Sequence, residues 1–427
     1  MSLRNKMNGT RGVLLKNTLM LYILQFSTYF FSFIVVPYET RVLGPVIFGL
    51  VGAATAAMVY FQNVIDFGFI LSGTADVARH KEDKAYLSRL FTAVTLAKLL
   101  LALLCALVLL GLCQIISVWG DHTGFYFLFF LSVFLGSLMP DYLYRGLEQM
   151  EVITVRAVCI KAFFTVMIFV LLRDSSQYWL IPVLNIIGNG VAFGCVYLHL
   201  KRKMGITFCR IPFGAVGKTL RDSMPFFFSR IATTVYTATN TVVLNIISGT
   251  GAVTGYYTSA DKLITTAKSG MSPISDSMYP YMVKNRDFKL VIKTLKLLMP
   301  LILAGCVVVG IFARPLCVWF LGAEYGEAAH VLRVMLPVVA VILPSYILGF
   351  PTLSPMGLAK HANYSTIVGS VFYVCAILVL FATQHVTMIT LGALTSATEI
   401  LIFLYRLIVV IHYRDRMKPV EQKEETP

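Results

Sequence analysis

RDSMPFFFSRIATTVYTATNTVVLN, residues 221–245, has the length and apolar content of a helix that crosses a bilayer. Yet it sets Arg230 well inside and follows it with hydroxyls on successive turns. At 3.6 residues per turn, Arg230, Thr234, Thr237, Thr241 and Asn245 fall along one stripe. The next stretch repeats the pattern with Thr258, Asp261, Thr265, Lys268, Ser272 and Ser275. Threonine and serine hydroxyls can bond back to their own helix, so alone they demand no water. Charges differ: an ionised side chain near mid-bilayer costs roughly 2.5–3.5 kcal/mol on insertion scales and turns to a bundle interior or an aqueous cavity. Two adjacent polar faces therefore predict helices that line a cavity.

The rest of the chain supplies the membrane context. Of its 427 residues 57% are hydrophobic and only 13% charged, and the mean hydropathy is +0.77. A soluble domain is nearer half apolar and a quarter charged. Apolar runs of roughly 20 residues, enough to cross a hydrocarbon core of about 30 Å, recur near 18–36, 46–67, 91–117, 123–144, 152–172, 178–200, 222–248, 253–282, 294–320, 329–351, 361–382 and 386–412. The expected fold is an all-α membrane protein of about twelve transmembrane helices. Pro273 and Pro280 are expected to interrupt the eighth.

Lysine and arginine in the loops set the orientation. With the N-terminus inside, the inner segments hold Arg4, Lys6, Arg11 and Lys16, then Arg79, Lys81, Lys84 and Arg89, then Lys201, Arg202, Lys203, Arg210, Lys218 and Arg221. Lys284, Arg286, Lys289, Lys293 and Lys296 follow, and Arg414, Arg416, Lys418 and Lys423 close the series. The outer side offers Arg41, Arg173, Arg314 and Arg333. Both termini are thus expected in the cytoplasm. The net charge of +15 is this topology signal plus attraction to anionic lipid, and nucleic acid is not implied. The first span is too long for a signal-peptide core and is expected to remain as an anchor. Eight cysteines are scattered without a CxxC pair, and the seven histidines stand singly, so neither a disulfide framework nor a metal site is expected.

A shift of about 206 positions lays LGPVIFGLVGAA, residues 43–54, over GTGAVTGYYTSA, residues 249–260. Chance similarity of two helix turns is the alternative. Taken as a repeat, the match predicts two pseudosymmetric six-helix bundles, residues 1–205 and 206–413, followed by a cytoplasmic tail, 414–427. Lys98, Arg156, Lys161 and Lys262 add inward cations, with Lys98 and Arg156 also able to snorkel. The deep acids are Asp66, Asp261 and Glu399. Each of these can bind a coupling ion or simply pair with a cation. Glu399 has Arg406 two turns later on its own face, and Arg230 or Lys268 can be neutralised by Asp261. Enzyme motifs are missing: there is no DxD, HExxH, GxSxG or Walker loop, and no cofactor is expected.

Three segments carry a family resemblance: PYETRVLGPVIFGLVGAA, residues 37–54; VIDFGFILSGTADVARHKEDK, residues 64–84; and YRGLEQMEVITVRA, residues 144–157. They resemble the signature regions of bacterial oligosaccharide flippases, in the superfamily that also holds multidrug and toxin extrusion antiporters and lipid II flippases. The resemblance implies a twelve-helix, two-lobed transporter that passes undecaprenyl-diphosphate-linked sugar repeat units from the inner to the outer leaflet by alternating access. It carries over to the turn from Pro37 to Gly49 with Arg41, the turn Asp66-Phe67-Gly68, and the loop Arg145-Gly146-Leu147-Glu148, as structural positions. Lipid II flippases usually carry two further C-terminal spans, which this sequence does not show.

The expected function is therefore a flippase for a lipid-linked oligosaccharide in the inner membrane. Arg230 and Lys268, with Lys161 and Lys262 behind them, would hold the diphosphate. Thr234, Thr237, Thr241 and Asn245 would hydrogen-bond the head group, and Asp66, Asp261 and Glu399 are the ion-coupling candidates. A polysaccharide polymerase and glycosyltransferases are the partners this implies. The rivals are a cation-coupled drug exporter of the same fold, disfavoured by the positive interior, and a non-transporting scaffold of a polysaccharide synthase.

Overall fold

In the computed structural model, residues 10–249 and 251–414 are described, with the side chains of residues 10–15 and Ser229 excepted. The expected tail therefore lies outside the described residues save for Arg414, as do Arg4, Lys6 and the Arg11 side chain. The described chain is helical, in the order α1 (Thr10–Asp66), α2 (Phe69–Arg79), α3 (Lys84–Ile115), α4 (Thr123–Ser137), α5 (Asp141–Gly146), α6 (Met150–Leu171) and α7 (Leu180–His199). Then come α8 (Phe213–Ser248), α9 (Ala252–Asn285), α10 (Phe288–Ile311), α11 (Ala313–Leu321), α12 (Ala328–Ile347), α13 (Ala359–Ala382) and α14 (Met388–His412). Their apolar exteriors need lipid: Leu103, Leu107, Leu297, Leu301 and Val307 are all at least 60% exposed. This is a multi-pass membrane protein.

Nine helical stretches among the described residues are long and apolar enough to cross a bilayer. One of them contains the first two expected spans, because α1 is two helices joined across Gly44 at φ 67°. The helices α8 and α9 are long enough but too polar to be counted. The two segments whose polar faces stand out in the sequence are thus the two that a hydropathy criterion loses. One expectation is corrected here: α9 runs unbroken through Pro273 and Pro280. The described chain instead turns between Gly249, at φ 61°, and the start of α9.

The contacts divide the chain into one unit of Met1–Thr234 with Asn245–Thr250, and a second of Val235–Leu244 with Gly251–Pro427. The boundary at residue 205 follows the charged connector, whereas by contacts the start of α8 goes with the first unit. Phe69, Phe91, Tyr142, Tyr144, Val196 and Leu200 anchor one core of the first unit. Two glycines allow it to close. Gly68, at φ 78°, caps the start of α2, and a Cβ there would sit 2.7 Å from the Phe226 Cβ. At Gly146 a Cβ would come within 2.5 Å of Val77. The turn Asp66-Phe67-Gly68 and the loop Arg145-Gly146-Leu147-Glu148 are therefore packing elements, the second also tied by Glu148 to Lys81 at 2.5 Å. Met278, Met282, Leu343, Ile347, Leu353 and Val410 form a core of the second unit.

Candidate functional site

The α8 stripe has two kinds of member. Arg230 and Thr237 are exposed, while Thr234, Thr241 and Asn245 are buried. In the first unit, Thr234 accepts a hydrogen bond from Asn63 Nδ2 at 2.6 Å and returns its own hydroxyl to the Arg230 carbonyl at 3.1 Å. The Asn245 side-chain oxygen accepts from both Trp119 Nε1 and the Tyr126 hydroxyl, each at 3.2 Å. These two polar side chains hold the helix in its packing. Arg230 forms no ion pair among the described residues, and its exposed guanidinium is the cation of the stripe.

The charges of the first unit are mostly internal. Lys98, 5% exposed, donates to Asp66 at 3.2 Å and also to the Ser137 carbonyl. Lys98 thus turns inward and does not snorkel, and Asp66 has a lysine partner. Arg156 pairs with Asp141 at 2.8 Å. Lys161 is half-buried on α6 and forms no ion pair among the described residues.

In the second unit α9 has two faces. Leu263 and Ala267 line an apolar cavity of about 330 Å³. Lys268 points elsewhere and meets Glu399 of α14, Nζ to Oε1 2.6 Å, with Glu399 buried. Asp261, seven residues earlier on the same helix, is the alternative partner that the sequence allows for Lys268; the partner found lies 131 positions away. Asp261 itself is half-buried and in no ion pair among the described residues, with Lys268 and Lys262 within electrostatic reach. Tyr236 and Tyr346 lie close enough to the Lys268–Glu399 pair and to Arg406 to bear on their charge.

Arg406 does not pair with Glu399 as the shared helix face suggests. Its Nη1 donates to the Ser345 carbonyl at 2.9 Å and to the Ser345 hydroxyl at 3.2 Å, and its Nε donates to Ser365 Oγ at 2.9 Å. The reason is the end of α12. The helix passes into a π-helical turn, Leu348–Thr352, in which Gly349 takes the non-helical pair φ −67°, ψ −125°. One backbone N–H, that of Leu348, is shared among the Pro344, Ser345 and Tyr346 carbonyls, so in a bilayer they call for further donors. Arg406 serves Ser345, Ser275 serves Tyr346 at 3.1 Å, and Thr352 serves Ile347 at 2.7 Å. Such interruptions are frequent at functional sites. Beside this one is a cavity of about 480 Å³ lined by Ser272, Ser275, Asp276, Tyr279, Tyr346 and Arg406.

Sequence reasoning passed over a further buried group. Asn240, 3% exposed, meets the Tyr257 hydroxyl and Thr395 Oγ1 at 2.8 Å each and accepts from the Tyr373 hydroxyl at 2.6 Å. It lies off the stripe drawn through Arg230, so helical periodicity does not single it out.

Residues 14–286 match the model of a family described as polysaccharide biosynthesis protein. A protein of Shigella dysenteriae described as an O-antigen transporter is 28% identical over 367 residues, 84% of this chain and 90% of that one. One of Escherichia coli strain K12 with the same description is 24% identical over 275 residues, 64% of this chain and 66% of that one. Among solved structures, the fold is similar to that of the lipid II flippase MurJ in an inward closed conformation. That likeness has a TM-score of 0.71 at 14% identity, over 93% of this chain and 87% of that one. It is also similar to an inward-facing multidrug resistance transporter of the MATE family, with a TM-score of 0.65 at 14% identity, over 93% and 99% of the two chains.

Proposed function

The chain belongs to the polysaccharide biosynthesis protein family, and on that premise we propose that it is a flippase for undecaprenyl-diphosphate-linked oligosaccharide. It moves the repeat unit across the inner membrane by alternating access, with both termini in the cytoplasm. The single observation that carries this reading is the match along 84% of the chain to a protein described as an O-antigen transporter. It is a transport protein and not an enzyme: the task is to shield a polar head group while it crosses, with no bond made or broken. The lipid tail stays in the bilayer. A polymerase and glycosyltransferases act before and after it on the same lipid-linked sugar.

Arg230 is the first contact for the diphosphate in this proposal, because it is exposed inside an apolar segment and forms no ion pair among the described residues. Thr237, exposed on the same stripe, assists it. Lys268 is poised differently, since the phosphate would have to compete with Glu399 for it; Lys161 and Lys262 are the weaker candidates. Of the three carboxylates, Asp66 and Glu399 are paired with lysines. Asp261 is therefore the proposed coupling carboxylate.

Deletion of the gene in its host should leave lipid-linked sugar on the inner leaflet and remove the surface polymer. Complementation with Arg230→Ala should fail at normal protein level. Arg230→Lys should restore part of the export, since lysine keeps the charge but loses the bidentate fork. Full export by the alanine variant would remove Arg230 from the site. Surface polymer lost without any build-up of lipid-linked sugar would point to scaffolding in place of transport.

A further inference from the structure

The cavity beside the broken end of α12 has a lining that a site for an anion alone does not explain. Arg406 supplies a cation and Asp276 an anion to the same 480 Å³ space, and Ser272, Ser275 and two tyrosines supply hydroxyls. A diphosphate would be repelled by the carboxylate. A ring of hydroxyls both donates and accepts, and it matches a wall that offers a pure donor in arginine and a pure acceptor in aspartate. We propose that this cavity is a saccharide subsite, which takes one or two sugar units of the lipid-linked head group and leaves the diphosphate outside. The inference rests on the transport reading for the source of the sugar.

Three features fit that assignment. The first is preorganisation. Two serines and a carbonyl fix the Arg406 guanidinium through Nε and Nη1, so its remaining donors need no reorganisation to meet a ligand. Gly349 makes the close approach possible: a Cβ there would sit 3.1 Å from Arg406 Nη1. The second is the placing of the other polar groups. Ser272 donates to Asp276 at 3.2 Å, and the Tyr279 and Ser354 hydroxyls lie 3.3 Å apart, while Ser275 already spends its proton on the Tyr346 carbonyl and remains an acceptor. The third is the aromatic wall. Tyr279 and Phe350 are 38% and 48% exposed at the cavity, and a flat ring offers large apolar contact to the C–H face of a sugar at little entropic cost. A volume of 480 Å³ falls within the roughly 300–1,000 Å³ range of small-molecule sites.

The test uses the full chain in nanodiscs with two ligands: lipid-linked repeat unit extracted from the host, and bare undecaprenyl diphosphate. Asp276→Asn and Tyr279→Ala are the variants, because both side chains are exposed and carry little of the packing. Each should weaken binding of the saccharide-bearing lipid by about tenfold and leave the bare lipid within about twofold, the size expected for one lost charged hydrogen bond or ring contact. Equal losses toward both lipids would assign the cavity to the diphosphate and overturn the proposal. Unchanged binding of both would overturn it as well. Failure of the transport reading shows separately: selective binding losses in a chain that moves no lipid in liposomes would leave the subsite standing without the flippase.

Discussion

Asp66–Lys98 in the first unit and Lys268–Glu399 in the second are the same chemistry in different surroundings. Each joins a carboxylate to a lysine on another helix. Lys98 is 5% exposed and spends its donors on Asp66 and the Ser137 carbonyl. Ala97, Val94 and Phe91 are buried on the same helix, and the Asp66 side chain is 20% exposed. The Lys268 side chain is 19% exposed and that of Glu399 6%, Glu399 is within electrostatic reach of Arg406 and Tyr236, and Arg406 and Tyr346 line the polar cavity. A buried pair earns little stability by itself, since desolvation offsets most of the attraction. The two pairs are about equally enclosed and differ in their neighbours: Lys98 is tied to a backbone carbonyl, whereas Glu399 is within electrostatic reach of Arg406, which lines the polar cavity. The first is expected to matter for stability and the second for export.

The largest effect should come from breaking the Asp66–Lys98 pair. Lys98→Met leaves a carboxylate and a carbonyl without their donor, and a loss of about 3 kcal/mol of stability is expected. The double change of Lys98→Met with Asp66→Leu should recover most of it and keep export. Thermal melting in detergent followed by size-exclusion fluorescence measures the first, and surface polymer the second. A stable double variant that cannot export would erase the distinction between the two pairs.

Arg406→Lys sharpens the comparison with a smaller effect. Lysine keeps the charge but cannot reach Ser345 and Ser365 together from one nitrogen, and about 1 kcal/mol of stability should go with the lost bonds. Export should fall without vanishing. An unchanged melting temperature would mean that the broken end of α12 does not depend on its arginine.

The helices were legible because crossing a bilayer imposes a length and a composition that few loops imitate. The turns at Gly44 and Gly249 were legible as glycine-containing turns for a related reason: both take positive φ, which glycine adopts at little cost. The pairings were not. Asp66 and Lys98 lie 32 positions apart, and Lys268 and Glu399 131 apart. Periodicity compares residues on one helix and is silent about which face meets which. The ion pairs it could consider, Asp261 with Lys268 and Glu399 with Arg406, were therefore limited to same-helix neighbours. A signal for the Arg406 site did exist in Pro344, Gly349 and Pro351, three helix-breaking residues within eight positions. They mark freed carbonyls, and a nearby arginine is a natural donor to them.

The central claim is that this chain itself carries a saccharide head group across the bilayer. Purified protein in liposomes that hold lipid-linked repeat unit in both leaflets tests it, read by oxidation of the sugar with external periodate. With the wild-type chain, and with the Asp66→Leu, Lys98→Met double variant, the whole sugar pool should become reactive. With Lys268→Met only the outer-leaflet share should react, as in protein-free liposomes. An inner-leaflet pool that stays protected in the presence of folded wild-type protein would contradict the account.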